Sequence, residues 1–416
     1  MNAEILCIGT ELLLGDTVNT NAAYIAQGLA ACGVDCYYQT VVGDNPDRLK
    51  KSLRLALERS NIVITTGGLG PTYDDLSKET VAEHFGRKMT MHQPSHDALV
   101  ERFKQFGRPM TENNIKQAYM PEGAIVFHND RGTANGLAVE DNGKTVIMLP
   151  GPPREMTAMF DNHVRAYLQK RSEHLLLSHN IHFFGIGESA LEQELHNYMM
   201  SQSNPTIAPY AKEGEVLLRV TASAATAEEA DALIKPVVEQ ICADYSANVY
   251  GVDVGDLQTA LVRTLTTLGL TIATAESCTG GLISKRITEV EGSSAVFGCG
   301  LCTYSNEMKI QLLEVNPETL MRFGAVSAET ALEMAEGVRR LSGADIGLSV
   351  TGIAGPGGGS AEKPVGLVYL GISHTGGTSA VEHRLGRNYG GGREHIRWLA
   401  SSQALYLALR CAQSKS

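Results

Sequence analysis

Short β-branched runs that empty into loops, most of them restarting as an amphipathic helix, recur at both ends of the sequence. Near the N-terminus they are Glu4–Gly9, Val34–Val42 and Asn61–Thr66. Near the C-terminus they are Gly269–Ala275, Val296–Thr303 and Ala344–Val350. Alternation of strand and helix leaves few options: a largely parallel sheet with helices on both faces, a three-layer α/β arrangement. Such sheets bind ligands where the strands end and the loops begin.

With 416 residues the chain is long for one domain, and its pattern divides into three parts: 1–170, 171–250 and 251–416. The middle part reads as strand Ser178–Phe184, helix Glu188–Met200, hairpin Thr206–Thr221 turning at Lys212-Glu213-Gly214, and helix Thr226–Ala243. That order is KH-like, but the G-x-x-G clamp that holds RNA is missing, so a spacer role is expected. Ala247–Val254 reads as a linker.

The net charge of −11 argues against a nucleic-acid surface, so an anionic ligand needs a locally built site. The N-terminus has no basic leader and no apolar run reaches spanning length, so a cytoplasmic protein without membrane contact is expected. Eight scattered cysteines fit a reducing compartment. Cys299 and Cys302 fall on opposite faces of a strand and read as core residues, not metal ligands.

In the first part, Glu11, Asp44 and the loop Gly67–Asp75 all fall at strand ends. Gly67, Gly68 and Gly70 offer backbone N–H groups to a phosphate without matching a P-loop. Asp44, Asp74 and Asp75 suit a hard divalent cation completed by water and phosphate; helix capping is the alternative for all three, above all for Asp74. Ser77 is expected to cap the following helix. Pro150–Met156 ends this sheet.

The last part centres on T-A-E-S-C-T-G-G, Thr274–Gly281, where a strand turns into a helix with Leu282, Ile283, Ile287 and Val290 on one face. Ser277 is either a nucleophile, with Thr279 and Gly280 N–H groups facing a developing oxyanion, or a helix cap. Serine needs a base. This part has only His374, His383 and His395, and the first two fall in strands or a hairpin far from an evident loop partner. Lys309 is the better candidate: with Asn306 as N-cap it falls in a first helical turn, where the dipole and burial favour the neutral amine. A solvated helix face is the other reading of Lys309. Tyr304 and Asn306 are placed to orient the base or the substrate, and Cys278 is the rival nucleophile. The loop Thr351–Gly359 suits a phosphate, with Lys363, Arg393 and Arg397 as charge partners.

Over its whole length the chain resembles the CinA family of competence/damage-inducible proteins. In the first part, Gly9–Asn21, Gly67–Asp75 and Leu149–Met156 resemble the MoaB/MogA-like molybdopterin-binding fold. In the last, Ala275–Gly281, Tyr304–Lys309, Gly352–Gly359 and Lys363–Gly366 resemble nicotinamide-nucleotide amidases. The resemblance implies a C-terminal domain that converts nicotinamide mononucleotide to nicotinic acid mononucleotide and ammonia without a cofactor. Ser277 would be the nucleophile and Lys309 the base, with Tyr304 beside them as a third catalytic residue. Glu276, Thr279, Gly280, Asn306, Gly352, Ala354, Gly355 and Arg393 would stand on the substrate side.

For the first domain it implies an ADP-ribose pyrophosphatase that uses a divalent metal (magnesium, cobalt or manganese) and potassium. Asp44 and Asp75 would hold the metal, and Gly67, Gly68, Gly70, Glu11 and Asn21 the nucleotide. A non-catalytic pterin or nucleotide sensor regulating the amidase is the alternative. A homodimer is also implied. One departure is Asn135, where the family usually has proline, from which a less rigid Gly132–Gly136 loop is expected.

Overall fold

The computed structural model describes residues 1–107, 109–171, 175–201, 203–386 and 392–414. The fold is mixed α/β, with a sheet of six strands, one of four, one of five and a two-stranded ribbon. Two compact units are distinguished: Met1–Ser178 with Thr221–Ile234, and His179–Val220 with Lys235–Ser416.

In the first unit the six-stranded sheet runs Asp35–Val42, Asn2–Ile8, Ile62–Thr66, Lys144–Leu149, Gly136–Asp141, Ile125–Phe127. The first four strands are parallel, and the last two pair antiparallel. Alternation divides the Asn2–Ile8 side chains between two cores. Ile5 and Cys7 pack with Ile25, Leu29 and Phe160, while Leu6 and Ile8 pack with Leu49, Leu53 and Val81. Helices therefore cover both faces, as the alternation predicts.

The five-stranded sheet of the second unit runs Phe297–Cys302, Ile272–Glu276, Ile346–Gly352, Leu367–His374, Gly377–Arg384. Its first three strands are parallel and its last two antiparallel. One face packs on Leu257, Leu261, Ala400, Ala404 and Leu409. The other packs on Leu313, Leu320, Met334 and Val338. All three parallel strands deliver their carboxyl ends to the same edge.

The four-stranded sheet runs Thr206–Lys212, Glu215–Ala224, Leu175–Phe184, Val249–Val252. The stretch expected to be a linker thus contains a strand, Val249–Val252, antiparallel to Leu175–Phe184. Cys299 and Cys302 also differ from expectation. They alternate as predicted, but Phe297–Cys302 is an edge strand, so Cys299 is half-buried and Cys302 is exposed. Among the described residues no helix is long and apolar enough to cross a membrane.

Candidate active site

The strand Ile272–Glu276 is buried throughout and ends one residue before Ser277. Ser277 N donates to Val350 O at 3.0 Å, and Gly280 N to Ser277 O at 3.1 Å, closing a tight turn. Gly280 and Gly281 take φ of 59° and 92°, a left-handed conformation that disfavours a side chain. Because the Gly280 amide closes the turn, it is not free for an oxyanion, contrary to expectation. The amides of Cys278 and Thr279 donate to no backbone carbonyl among the described residues.

Glu276 fixes the turn from below. Its Oε1 accepts from Ser284 N at 2.8 Å and Ser284 Oγ at 2.7 Å. Its Oε2 accepts from Thr279 Oγ1 at 2.7 Å and Ile283 N at 3.0 Å. Two of those donors are backbone amides of the first turn of Leu282–Thr288, where the helix dipole favours negative charge. Glu276 is fully buried and faces its own turn, so it is a scaffold residue and not a substrate contact.

Lys309 lies one helical turn into Asn306–Leu313. Ser305, not Asn306, occupies the N-cap and accepts from Met308 N at 3.3 Å. Asn306 is exposed at the first helical position. Lys309 is 1 % exposed. Its Nζ meets Thr303 O at 2.8 Å, Ser277 Oγ at 3.2 Å and Tyr304 O at 3.3 Å. The two carbonyls only accept, so they take N–H bonds; the third tetrahedral direction points at Ser277, and in the neutral amine it holds the lone pair. Burial pushes the Lys309 ammonium below its ordinary value, partly opposed by Cys278, Cys302 and Glu307. Burial pushes the Cys278 thiol the other way, up to about 11. Burial therefore disfavours the thiolate of the rival nucleophile.

The remaining predicted residues divide. Arg393 donates to Gly355 O and Tyr304 Oη, both at 2.9 Å. Gly355 takes φ 76°, and Ala354 is buried. A Cβ on Gly352 would stand 2.8 Å from Leu367 O, so that glycine serves strand packing. The amides of Ala354, Gly355, Gly357, Gly358 and Gly359 donate to no backbone carbonyl among the described residues. Lys363 is turned away, its Nζ donating to Phe323 O at 2.6 Å and Val326 O at 2.7 Å. Arg397 clamps the serine turn, donating to Thr279 O at 2.6 Å. Of the expected loop Asn388–Arg393, residues 388–391 lie outside the described residues.

Pattern reading missed Arg286, 1 % exposed, which donates to Ser401 Oγ and Ser402 Oγ at 2.8 Å and to Gln258 Oε1 at 2.9 Å. The available signal was one arginine on an apolar helix face, with paired serines in an Ala/Leu-rich helix.

The first unit has a cleft of about 350 Å³ lined by Glu11, Asp44, Gly67, Gly68, Gly70 and Asp75 among others. Gly67 and Gly68 take φ of 103° and 69°, and Cβ atoms there would meet Ile8 O and Ser77 Oγ. Ser77 is the first helical residue, not the cap; its Oγ donates to Gly67 O at 2.9 Å and pins the loop. Asn21 is buried and donates to Thr66 Oγ1 at 2.9 Å and Gly151 O at 2.7 Å, joining two strand ends. Asp44 accepts from Thr10 N at 2.8 Å, and Asp75 from Thr72 N at 2.9 Å. Among the described residues no three His, Cys, Asp or Glu side chains group as a metal cage. The donor set fits only an ion that takes most of its shell from water and a ligand's phosphates.

Asn135 overturns the expected looseness of its loop. It is buried, accepts from Asn129 N at 2.9 Å and donates to Ser95 Oγ at 2.8 Å. Proline has neither group, so asparagine ties the loop by hydrogen bonds instead of by ring rigidity.

Comparison with known proteins agrees with this architecture. Residues 255–412 match the CinA C-terminal domain, 4–170 a probable molybdopterin binding domain, and 178–251 the damage-inducible protein CinA KH domain. A CinA-like protein of Kosmotoga olearia is 51% identical over 97% of this chain and 97% of its own. A putative competence-damage inducible protein of Acetivibrio thermocellus is 50% identical over 99% and 98%. The solved competence/damage inducible protein CihA of Agrobacterium tumefaciens is 48% identical, covering 38% of this chain and 93% of its own, with a TM-score of 0.36. The chain belongs to the CinA family.

Proposed function

We propose that the C-terminal domain hydrolyses the carboxamide of nicotinamide mononucleotide to nicotinic acid mononucleotide and ammonia. The observation that carries this reading is the buried Lys309 amine directed at Ser277 Oγ at 3.2 Å. Lys309 Nζ takes the hydroxyl proton as Oγ attacks the carboxamide carbon. The free amides of Cys278 and Thr279 face the developing oxyanion. Lys309 then returns the proton to the leaving nitrogen, releasing ammonia and leaving an acyl ester on Ser277. Water attacks that ester with Lys309 again as base, the C–O bond to Ser277 breaks, and the hydroxyl regains its proton. Arg393 and the backbone amides of Ala354, Gly355, Gly357, Gly358 and Gly359 supply a cradle for the phosphate.

The first domain reads as a hydrolase of ADP-ribose, giving AMP and ribose 5-phosphate. Asp44 and Asp75 would share a divalent ion with the substrate's phosphates, and that ion would neutralise charge on the pyrophosphate. Glu11 and the Gly67–Gly70 loop line the same cleft. Potassium dependence, a homodimer and a cytoplasmic setting belong to this reading. The lack of a three-ligand cage among the described residues favours a second reading, a nucleotide or pterin sensor.

The test is ammonia release from nicotinamide mononucleotide by wild type, Ser277→Ala and Lys309→Ala. Loss in both variants supports the pair; undiminished release in either removes it. AMP release from ADP-ribose with several divalent ions separates hydrolase from sensor.

A further inference from the structure

The C-terminal helix Arg393–Gln413 is held on two sides. Arg393 and Arg397, one turn apart, reach Gly355 O, Tyr304 Oη and Thr279 O. His395 and Leu399, also one turn apart, lie about 200° round the helix from them. Against that second side sits the tip of the hairpin formed by Thr206–Lys212 and Glu215–Ala224. Glu213 Oε1 stands 2.6 Å from His395 Nδ1, and a Cβ on Gly214 would stand 3.1 Å from Leu399 Cδ2. The cap position, Gly392, gives the helix no side-chain hydrogen bond, so its first turn depends on lateral anchors.

The next hairpin residue extends the brace. Tyr250 Oη donates to Glu215 at 2.6 Å and lies 3.1 Å from His182 Nδ1. Burial lowers the pKa of Arg286, the residue that holds Ser401 and Ser402 of the same helix, and the charges of Glu215 and Asp256 partly oppose that shift. The hairpin tip thus bears on the helix directly at His395.

We propose that Glu213 is a positioning residue for the amide hydrolase. Acting through His395 from outside the amidase domain, it sets where Arg393 stands over the phosphate cradle and so sets affinity for the anionic end of the substrate. This inference rests on the amidase reading above. Two of the five guanidinium N–H donors of Arg393 are taken by Gly355 and Tyr304, which leaves the others to meet an anion. A small displacement of the first helical turn changes that geometry without touching Ser277 or Lys309.

The test is steady-state ammonia release by the full chain as wild type, Glu213→Ala, Glu213→Gln, Arg393→Ala and the Glu213→Ala/Arg393→Ala pair. Glu213→Ala is expected to raise KM about fivefold, which corresponds to about 1 kcal/mol, with kcat nearly unchanged. Glu213→Gln still accepts a hydrogen bond from Nδ1 and is expected to fall between the two. In the Arg393→Ala background Glu213→Ala should change KM by less than about twofold, because the two act as one unit. An unaltered KM in Glu213→Ala, or the same rise in both backgrounds, overturns the inference alone. A wild type without Ser277-dependent release overturns the amidase reading and the inference with it.

Discussion

Ser277 Oγ and Lys309 Nζ stand 3.2 Å apart, and two carbonyls within the same lysine's reach fix which of its bonding directions the serine meets. A surface lysine would swing freely. This one is buried, and Thr303 and Tyr304 hold it. The relationship combines a lowered amine pKa with a fixed lone-pair direction, the two properties a base for serine needs.

The pH profile follows from burial. Lys309 titrates below its ordinary value, and only its neutral form accepts a proton, so kcat/KM should rise with pH through the lowered pKa and then level. Stability has a matching sign. The unfolded chain binds the Lys309 proton more tightly than the folded one, so wild type gains stability relative to Lys309→Met as pH rises from the lowered folded value towards 10.5. Below that window the full cost of burying the charge is present. A Lys309→Ala loss on the order of 10²- to 10⁴-fold in kcat is expected at neutral pH.

Cys278 should be dispensable for chemistry. Its thiol is buried and pushed up to about 11, so Cys278→Ala should keep ammonia release within about threefold of wild type. Iodoacetamide at neutral pH should leave wild-type release intact. Loss of release in Cys278→Ala, with release retained in Ser277→Ala, would assign the nucleophile to the thiol.

Glu276→Gln replaces one acceptor oxygen by an NH2 group facing donors of the turn. The expected cost is about 1–3 kcal/mol, with a matching loss of activity. Trp398, the single tryptophan, lies in the C-terminal helix, so the urea midpoint of its fluorescence reads this unit. An unshifted midpoint would contradict the scaffold role.

The two sites should separate on metal removal. Chelation, or Asp75→Ala, should abolish AMP release from ADP-ribose while ammonia release from the mononucleotide continues unchanged. Loss of both together would contradict a metal-free amidase.

The alternation of strand and helix made both three-layer parts legible, and the turn after Ala275 pointed to Ser277 because a strand entering a helix exposes that position. What stayed hidden depends on tertiary pairing. Val249–Val252 has four residues, and only its partner strand makes it a strand. The antiparallel strands Ile125–Phe127 and Gly136–Asp141 lack the helix that marks a parallel crossover. Side-chain direction was hidden too. Lys363 and Glu276 sit in the right motifs, yet each is bound to backbone groups of its own scaffold. Asn135 is the reverse case, a departure from the family pattern that its hydrogen bonds make good.

Rapid-quench peptide mapping of the full chain mixed with nicotinamide mononucleotide tests the serine nucleophile most directly. The account predicts a transient acyl adduct on the peptide carrying Ser277, located at that residue and absent from Ser277→Ala together with ammonia release. An adduct on Cys278, or ammonia release that persists in Ser277→Ala, would contradict it.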